Sequence, residues 1–159
     1  MAILTMALVA GMFQVPPAAQ DSTAETLATY EKIRSLLAED KVEGVSKEAE
    51  RLAKVAERAA DKSEEGVQKH LKAASQAAGT LKDAKDLPAA RLAFGELSRH
   101  VVGLLNAEPT LRRGRYVYRC PMVKEGYALW VQTAKEVSNP YMGKKMLRCG
   151  ESAEKDDAK

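Results

Sequence analysis

Apolar residues recur at steps of three and four from residue 27 to residue 104, with lysine, glutamate and other polar residues between them. That spacing gathers the apolar positions on one face of a helix. In the first stretch the series is Leu27, Tyr30, Ile33 or Arg34, and Leu37, and Ser22 with Glu25 reads as a capping box at its start. The second runs Val45, Ala49, Leu52, Ala56 and Ala59, an alanine-rich stripe that lets neighbours approach closely. The third is Val67, Leu71, Ala74, Ala78 and Leu81, and the fourth Leu87, Ala90, Phe94, Leu97, Val101 and Leu104. Asp86 before Pro88 caps the fourth helix and breaks it from the third, and Asn106 to Pro109 ends it.

Four helices of about 18 to 22 residues, roughly 27 to 33 Å each, joined by short connections, predict antiparallel neighbours. Aromatic residues are only 5% of the chain, so the core is built from small and aliphatic side chains. The expected fold class is all-α: an antiparallel four-helix bundle over residues 21–110, carrying a short extended or hairpin C-terminal segment over 111–152 and a disordered tail from 153 to 159. At 159 residues the chain suits one domain and one core.

Ahead of the first stripe, residues 2–13 form an uncharged apolar run followed by Pro16 and Pro17. Its length suits the apolar region of a secretory leader over residues 1–20 and falls short of a membrane span, so the mature chain is expected to be exported without a transmembrane segment. No lysine or arginine precedes the run, and the best small-x-small site is Ser22-Thr23-Ala24. The alternative is an anchor embedded in lipid or docked on a partner.

From residue 111 the composition changes. Four of the five tyrosines, the only tryptophan, both cysteines and three of the six methionines fall between Arg115 and Gly150. Alternating apolar residues on either side of Gly126 predict two short strands or extended arms, and Asn139-Pro140 with Gly143 predicts a turn. Cys120 and Met122 share a side of an extended backbone, and Met146 and Cys149 share a side of one helical turn. If the chain folds back, these four sulfur atoms converge. Thiolate and thioether donors select monovalent copper or silver over magnesium, calcium or manganese. His100 and Met142 are available to complete such a shell, whereas His70 is expected to face solvent.

A second reading stands beside the first: in an oxidising compartment Cys120 and Cys149 form a structural disulfide, worth about 3 to 4 kcal/mol in the loop-entropy account. Net charge is +3, with one local excess. Arg112, Arg113, Arg115 and Arg119 crowd the first cysteine, and Lys144, Lys145 and Arg148 the second. They form either a solvated surface or a docking patch for an acidic partner or lipid headgroups.

Phe94, Leu97, Ser98 and His100, then Cys120-Pro121-Met122, Trp130, Asn139-Pro140-Tyr141-Met142-Gly143, and Met146-Leu147 with Cys149-Gly150 together resemble a family of exported bacterial helical domains. Its members occur alone after a signal peptide, or fused to periplasmic adaptor subunits of copper and silver efflux pumps of the resistance–nodulation–division type. The resemblance spans roughly residues 25–152 and is most specific in the tail. It implies a helical bundle and the handling of soft heavy metals, with Cys120, Met122, Met146 and Cys149 at the pattern's sulfur positions and His100 at its histidine. The adaptor's hairpin and barrel sequences are missing, so any pump role is expected in trans, with an efflux adaptor or another envelope protein as partner.

Enzymatic chemistry finds no support in the residues. The chain has no Cys-x-x-Cys pair, haem attachment motif, His-Glu-x-x-His helix, Glu-x-x-His pair, nucleophile elbow or phosphate-binding glycine loop. Nucleic acid is an unsuitable partner for an exported chain. The sequence therefore predicts a periplasmic protein that binds monovalent copper or silver through Cys120, Met122, Met146, Cys149 and His100, or else a disulfide-stabilised envelope domain with no metal.

Overall fold

In a computed structural model, which describes residues 17–123 and 129–153, the chain is mostly helical. Four helices, α1 (Pro17–Ala38), α2 (Val45–Ala60), α3 (Glu65–Lys82) and α4 (Leu87–Ala107), precede a small antiparallel sheet of β1 (Tyr116–Arg119), β2 (Leu129–Gln132) and β3 (Glu151–Ser152). Short 3-10 turns cover Pro109–Arg112 and Gly143–Met146. The leader expectation rests mainly on residues 1–16 and the disordered-tail expectation on 154–159. Both stretches, like the hairpin tip at Gly126, lie outside the described residues.

The apolar stripes are buried nearly as the spacing requires. Leu27, Tyr30, Ile33 and Leu37 of α1 lie in one core with Val45, Ala49, Leu52, Ala56 and Ala59 of α2. Leu71, Ala74, Ala78 and Leu81 of α3 and Ala90, Phe94, Leu97, Val101 and Leu104 of α4 complete it. Val67 and Leu87, at the helix starts, are only partly covered. Asp86 caps α4 as expected, accepting the N–H of Ala89 at 2.8 Å, a contact worth about 1 kcal/mol.

Two local expectations are corrected. Within the described residues α1 already runs from Pro17, so Ser22 and Glu25 lie inside the helix rather than boxing its start. The Ser22 carbonyl accepts the Thr26 hydroxyl at 2.9 Å, and the Glu25 carbonyl accepts the Thr29 hydroxyl at 2.8 Å. His70 is half-buried rather than simply facing solvent. Its ring lies across Gly103 of α4, where a Cβ atom would collide with it, and its Nδ1 is buried without a partner among the described residues.

Consecutive helices pack on one another, α1 on α2, α2 on α3 and α3 on α4, but α1 and α4 meet only over a short stretch. The sheet fills the gap. β2 packs chiefly against α4 and also against α1, and the Tyr30 hydroxyl joins all three elements. It shares a hydrogen bond with Ser98 Oγ at 2.6 Å and accepts the N–H of Val131 at 3.1 Å. The tail is thus part of the core, not an appendage laid over it. Sheet order is β2-β1-β3, with Tyr118 opposite Trp130 on one side and opposite Ser152 on the other.

The half-buried His70 ring makes stability depend on pH. Desolvation foremost, then the positive charges of Lys69 and His100, hold His70 below its ordinary value of 6.5. The fold therefore favours the neutral ring, while the unfolded chain takes up a proton first. Its contribution is complete above about pH 6.5 and is lost as the pH falls through the lower folded value. Thermal melts at about pH 7.5 and pH 5 should show a drop for the parent chain that is smaller in a His70→Gln variant.

Candidate metal centre

Two buried amides fold the tail. Gln132, at the end of β2 and 1% exposed, uses its side chain fully. Its Oε1 accepts Trp130 Nε1 at 2.8 Å and the Ser138 N–H at 3.1 Å, while its Nε2 donates to the carbonyls of Ala134 and Glu136 at 2.6 and 2.7 Å. Asn139 does the same for the next stretch. Its Oδ1 accepts the N–H groups of Tyr141 and Met142 at 2.8 and 3.1 Å, and its Nδ2 donates to the Cys149 carbonyl at 2.6 Å. The Asn139 N–H donates to the Leu147 carbonyl at 2.8 Å. Residues 139 to 149 are thereby closed into a loop whose two ends are hydrogen-bonded to each other.

That loop is fastened to the helices by charge. Arg91 of α4 donates to the Pro140 carbonyl at 2.8 Å, to the Leu37 carbonyl at 3.0 Å and to Asp40 at 2.6 Å. The other carboxylate oxygen of Asp40 accepts the Lys144 N–H at 3.0 Å. The Arg91 hydrogen bond first, and the Lys144 N–H next, hold the Asp40 carboxyl below its ordinary value. Gly143 sits directly over this pair at φ 56°, and a Cβ there would collide with both Asp40 Oδ1 and the Arg91 guanidinium. Arg34 adds a further tie from α1, donating to the Ser138 carbonyl at 2.8 Å.

The consequence for the cysteines follows from strand register. Arg119 stands opposite Glu151, and the Ala153 N–H donates to the Val117 carbonyl at 3.0 Å. One residue beyond Arg119 is Cys120, and one residue before Glu151 is Gly150. Cys149 is therefore next in chain to the position facing Cys120. By strand alternation Cys120 shares a face with Tyr118 and, across the ladder, Trp130.

Cys120 is 1% exposed and belongs to an apolar cluster with these rings. Tyr118 and Trp130 have centroids 5.6 Å apart, Trp130 and Tyr141 6.0 Å, and Phe94 and Tyr141 5.8 Å. Burial, then Tyr30, and to a smaller degree Cys120, push the Tyr141 hydroxyl well above its ordinary value. Trp130 also reaches the second cysteine segment, because a Cβ on Gly150 would lie 2.6 Å from the indole edge. Cys149 is half-buried, and both thiols are free.

The remaining candidate donors divide. Met146 lies one turn from Cys149, whose N–H donates to the Met146 carbonyl at 2.9 Å, so these two residues do share one turn. Met122 follows Cys120 in a turn and is 59% exposed. Met142 is partly buried against the core. His100 is different. It lies about 200° around α4 from Ser98, the residue that meets Tyr30 at the sheet, and its Nε2 is 3.0 Å from Glu96 Oε1. Its charge acts on His70 of α3. The fold therefore brings the two cysteine segments together and leaves His100 on the other side of α4, so His100 is corrected from a shell ligand to a partner of Glu96.

Among the described residues no three His, Cys, Asp or Glu side chains gather for a metal; the candidate donors that the sequence offers are two thiols with thioethers. Such a set fits a soft monovalent ion, which accepts few ligands and prefers sulfur. The basic residues do not form one patch. Arg112 and Arg113 follow the C-terminal end of α4, while Lys144 lies by Asp40, which pairs with Arg91 near the start of the same helix. Arg119 and Arg148 face Glu151 and Glu136 at 3.2 and 3.0 Å. Among the described residues no helix is long and apolar enough to cross a membrane.

Comparison with protein-family models, with characterised proteins and with solved structures finds no match to this chain.

The tail's dependence on its anchors is measurable. Asn139→Ala leaves the N–H groups of Tyr141 and Met142 and the Cys149 carbonyl without their partner, and should cost about 3 kcal/mol or more in urea unfolding. Gly143→Ala, forced into the left-handed region over the Asp40–Arg91 pair, should cost about 1 to 3 kcal/mol by the same measurement. Gly79→Ala, inside α3 where a Cβ meets open space, serves as the comparison and should stabilise by about 0.5 to 1 kcal/mol through helix propensity.

Proposed function

We propose that this protein binds a monovalent soft ion, copper or silver, in the cell envelope, with the thiolates of Cys120 and Cys149 as principal donors. Met146, one turn from Cys149, supplies a thioether, and Met122, at the exposed rim, supplies a second during loading or transfer. The four helices serve as an antiparallel scaffold for this tail, and any role in efflux is exercised on a separate adaptor or envelope partner. The observation that carries this reading is the β1–β3 register, which sets the Cys149-Gly150 segment beside Cys120.

The surroundings favour the same chemistry. Tyr118, Trp130 and Tyr141 close one side of the Cys120 position with aromatic carbon, which limits access of water and oxygen to a thiolate-bound ion. Asn139 fixes the Cys149 backbone through its carbonyl, so part of the ordering that binding requires is already present in the fold. The bound ion would supply a soft Lewis-acid centre; the chain supplies the thiolates, their spacing and the apolar wall.

The same adjacency supports a second reading, an envelope interaction domain in which Cys120 and Cys149 are joined as a disulfide that pins the tail. Thiol counting on freshly exported protein with and without reductant separates the two. A chain that is fully oxidised and resists reduction favours the pinned domain.

Titrating reduced protein with monovalent copper against a coloured chelator should show uptake of one equivalent and quenching of Trp130 fluorescence. A Cys120→Ser/Cys149→Ser double variant should take up none, and Met146→Leu should bind about tenfold more weakly, about 1.4 kcal/mol. His100→Ala should leave the affinity unchanged. Absence of stoichiometric uptake, or uptake that survives in the double variant, would falsify the metal assignment.

A further inference from the structure

The two thiols that the proposed site uses are not equivalent. Cys120 lies at the end of β1 on the face that carries Tyr118 and Trp130, and its residue is essentially without solvent contact. Cys149 lies in the turn that follows the Gly143–Met146 3-10 helix and is half-buried. Its backbone is held at both polar groups, the N–H by the Met146 carbonyl at 2.9 Å and the carbonyl by Asn139 Nδ2 at 2.6 Å. Of the two residues Cys149 is therefore the more accessible to an external reagent, on a backbone held in place, whereas Cys120 is closed off from solvent within the core. Sulfur reactivity follows access as well as thiolate character.

We infer that Cys149 is the entry thiol and Cys120 the resolving thiol of a reversible disulfide formed by exchange with an external disulfide, and that this oxidation excludes the metal because both draw on the same two sulfur atoms. The inference rests on the sulfur-pair reading given above, whose regulation it specifies. With glutathione disulfide as the external oxidant, the Cys149 thiolate attacks one sulfur, the glutathione S–S bond breaks, and one glutathione leaves as a thiolate that takes up a proton. Cys120 then gives its proton to solvent and its sulfur attacks Cys149 Sγ. The mixed disulfide breaks, the Cys120–Cys149 bond forms, and the second glutathione leaves and is protonated. Two protein thiols lose two electrons in all, and one external disulfide is reduced to two thiols.

Neither sulfur of the resulting bridge retains a thiolate, so the oxidised chain lacks its principal donors for a soft ion. Conversely, an ion held by both thiolates removes the attacking group from Cys149. The protein would thus carry metal only when the local thiol balance is reducing, and would be closed to it when disulfide donors dominate.

The test uses the full chain, reduced, incubated with glutathione disulfide, quenched in acid at intervals and weighed by mass spectrometry. Wild type should pass to an internal disulfide with little accumulated adduct. Cys120→Ala should stop as a single glutathione adduct on Cys149, whereas Cys149→Ala should react at least about tenfold more slowly. Because either variant could disturb packing, the same time courses are run on Cys120→Ser and Cys149→Ser with far-ultraviolet dichroism to verify folding. Equal rates for the Cys120 and Cys149 variants that remain folded, or a doubly adducted wild type, overturn the assignment of entry and resolving thiols. Prior loading with monovalent copper should slow wild-type oxidation by a similar factor. Ordered oxidation without copper uptake sinks the metal reading and leaves the thiol order standing. Copper uptake without protection sinks the mutual exclusion alone.

Discussion

The position of the second cysteine depends on one buried side chain. Asn139 is fully covered, and its amide grips the tail at both ends of an eleven-residue loop by holding two N–H groups near the start and the Cys149 carbonyl near the finish. An amide is suited to this because it offers an acceptor and a donor on one planar group, and burial raises the cost of leaving either unpaired. Without that grip, the order of β3 and the approach of Cys149 to β1 would rest on a two-residue ladder, a few backbone hydrogen bonds and the Arg119–Glu151 pair. Gln132 does the equivalent work one loop earlier, and Arg91 with Asp40 ties the closed loop to the helix ends. Three polar devices thus position a pair of sulfurs that have no regular element of their own.

The helices were readable because their signal is repetitive. A stripe such as Ala90, Phe94, Leu97, Val101 and Leu104 states the same period several times, so no single residue decides it. What the stripe does not state is which neighbour it faces. Nothing in the spacing of Leu27, Tyr30, Ile33 and Leu37 distinguishes a wall made by another helix from one made by a strand, and the opening between α1 and α4 filled by β2 is therefore invisible at that level. The start of α1 is hidden for a related reason: serine and threonine are favoured at caps, yet inside a helix a hydroxyl can bond back to a carbonyl, as those of Thr26 and Thr29 do. His70 was misread because a polar ring can cover a glycine on a neighbouring helix, and only the facing Gly103 reveals it.

The tail was readable in part. Its two arms and its Asn139-Pro140 turn had local signatures, and the arms do pair as β1 and β2. β3 is two residues long and has no periodicity to find. The spacing of Met146 and Cys149 correctly anticipated a shared turn, but the linear pattern grouped His100 with the sulfurs, and only the helical angle separating it from Ser98 removes it. Gln132 carried no sequence signal at all. Its importance arises from where Trp130 and the following carbonyls lie, which is a property of the folded arrangement. Much of the motif that carried the family resemblance has a packing explanation here. Phe94, Trp130 and Tyr141 share a core, Gly143 and Gly150 clear space for Asp40 and Trp130, and Ser98 meets Tyr30. Cys120 is itself buried in that core, so the half-buried Cys149 and the exposed Met122 are the sulfur-bearing members that packing explains least.

The filling of the α1–α4 gap by β2 has a consequence for how the polypeptide must be made. A chain emerging from a ribosome or a secretion channel delivers its four helices first, while Tyr30, Phe94 and Ser98 still line an open seam. No amount of waiting completes that intermediate, because its missing wall is encoded downstream. The nascent molecule remains sticky until residue 132 has cleared the exit, and a premature stop anywhere before that point should yield a product fit for aggregation or proteolysis rather than a smaller working domain.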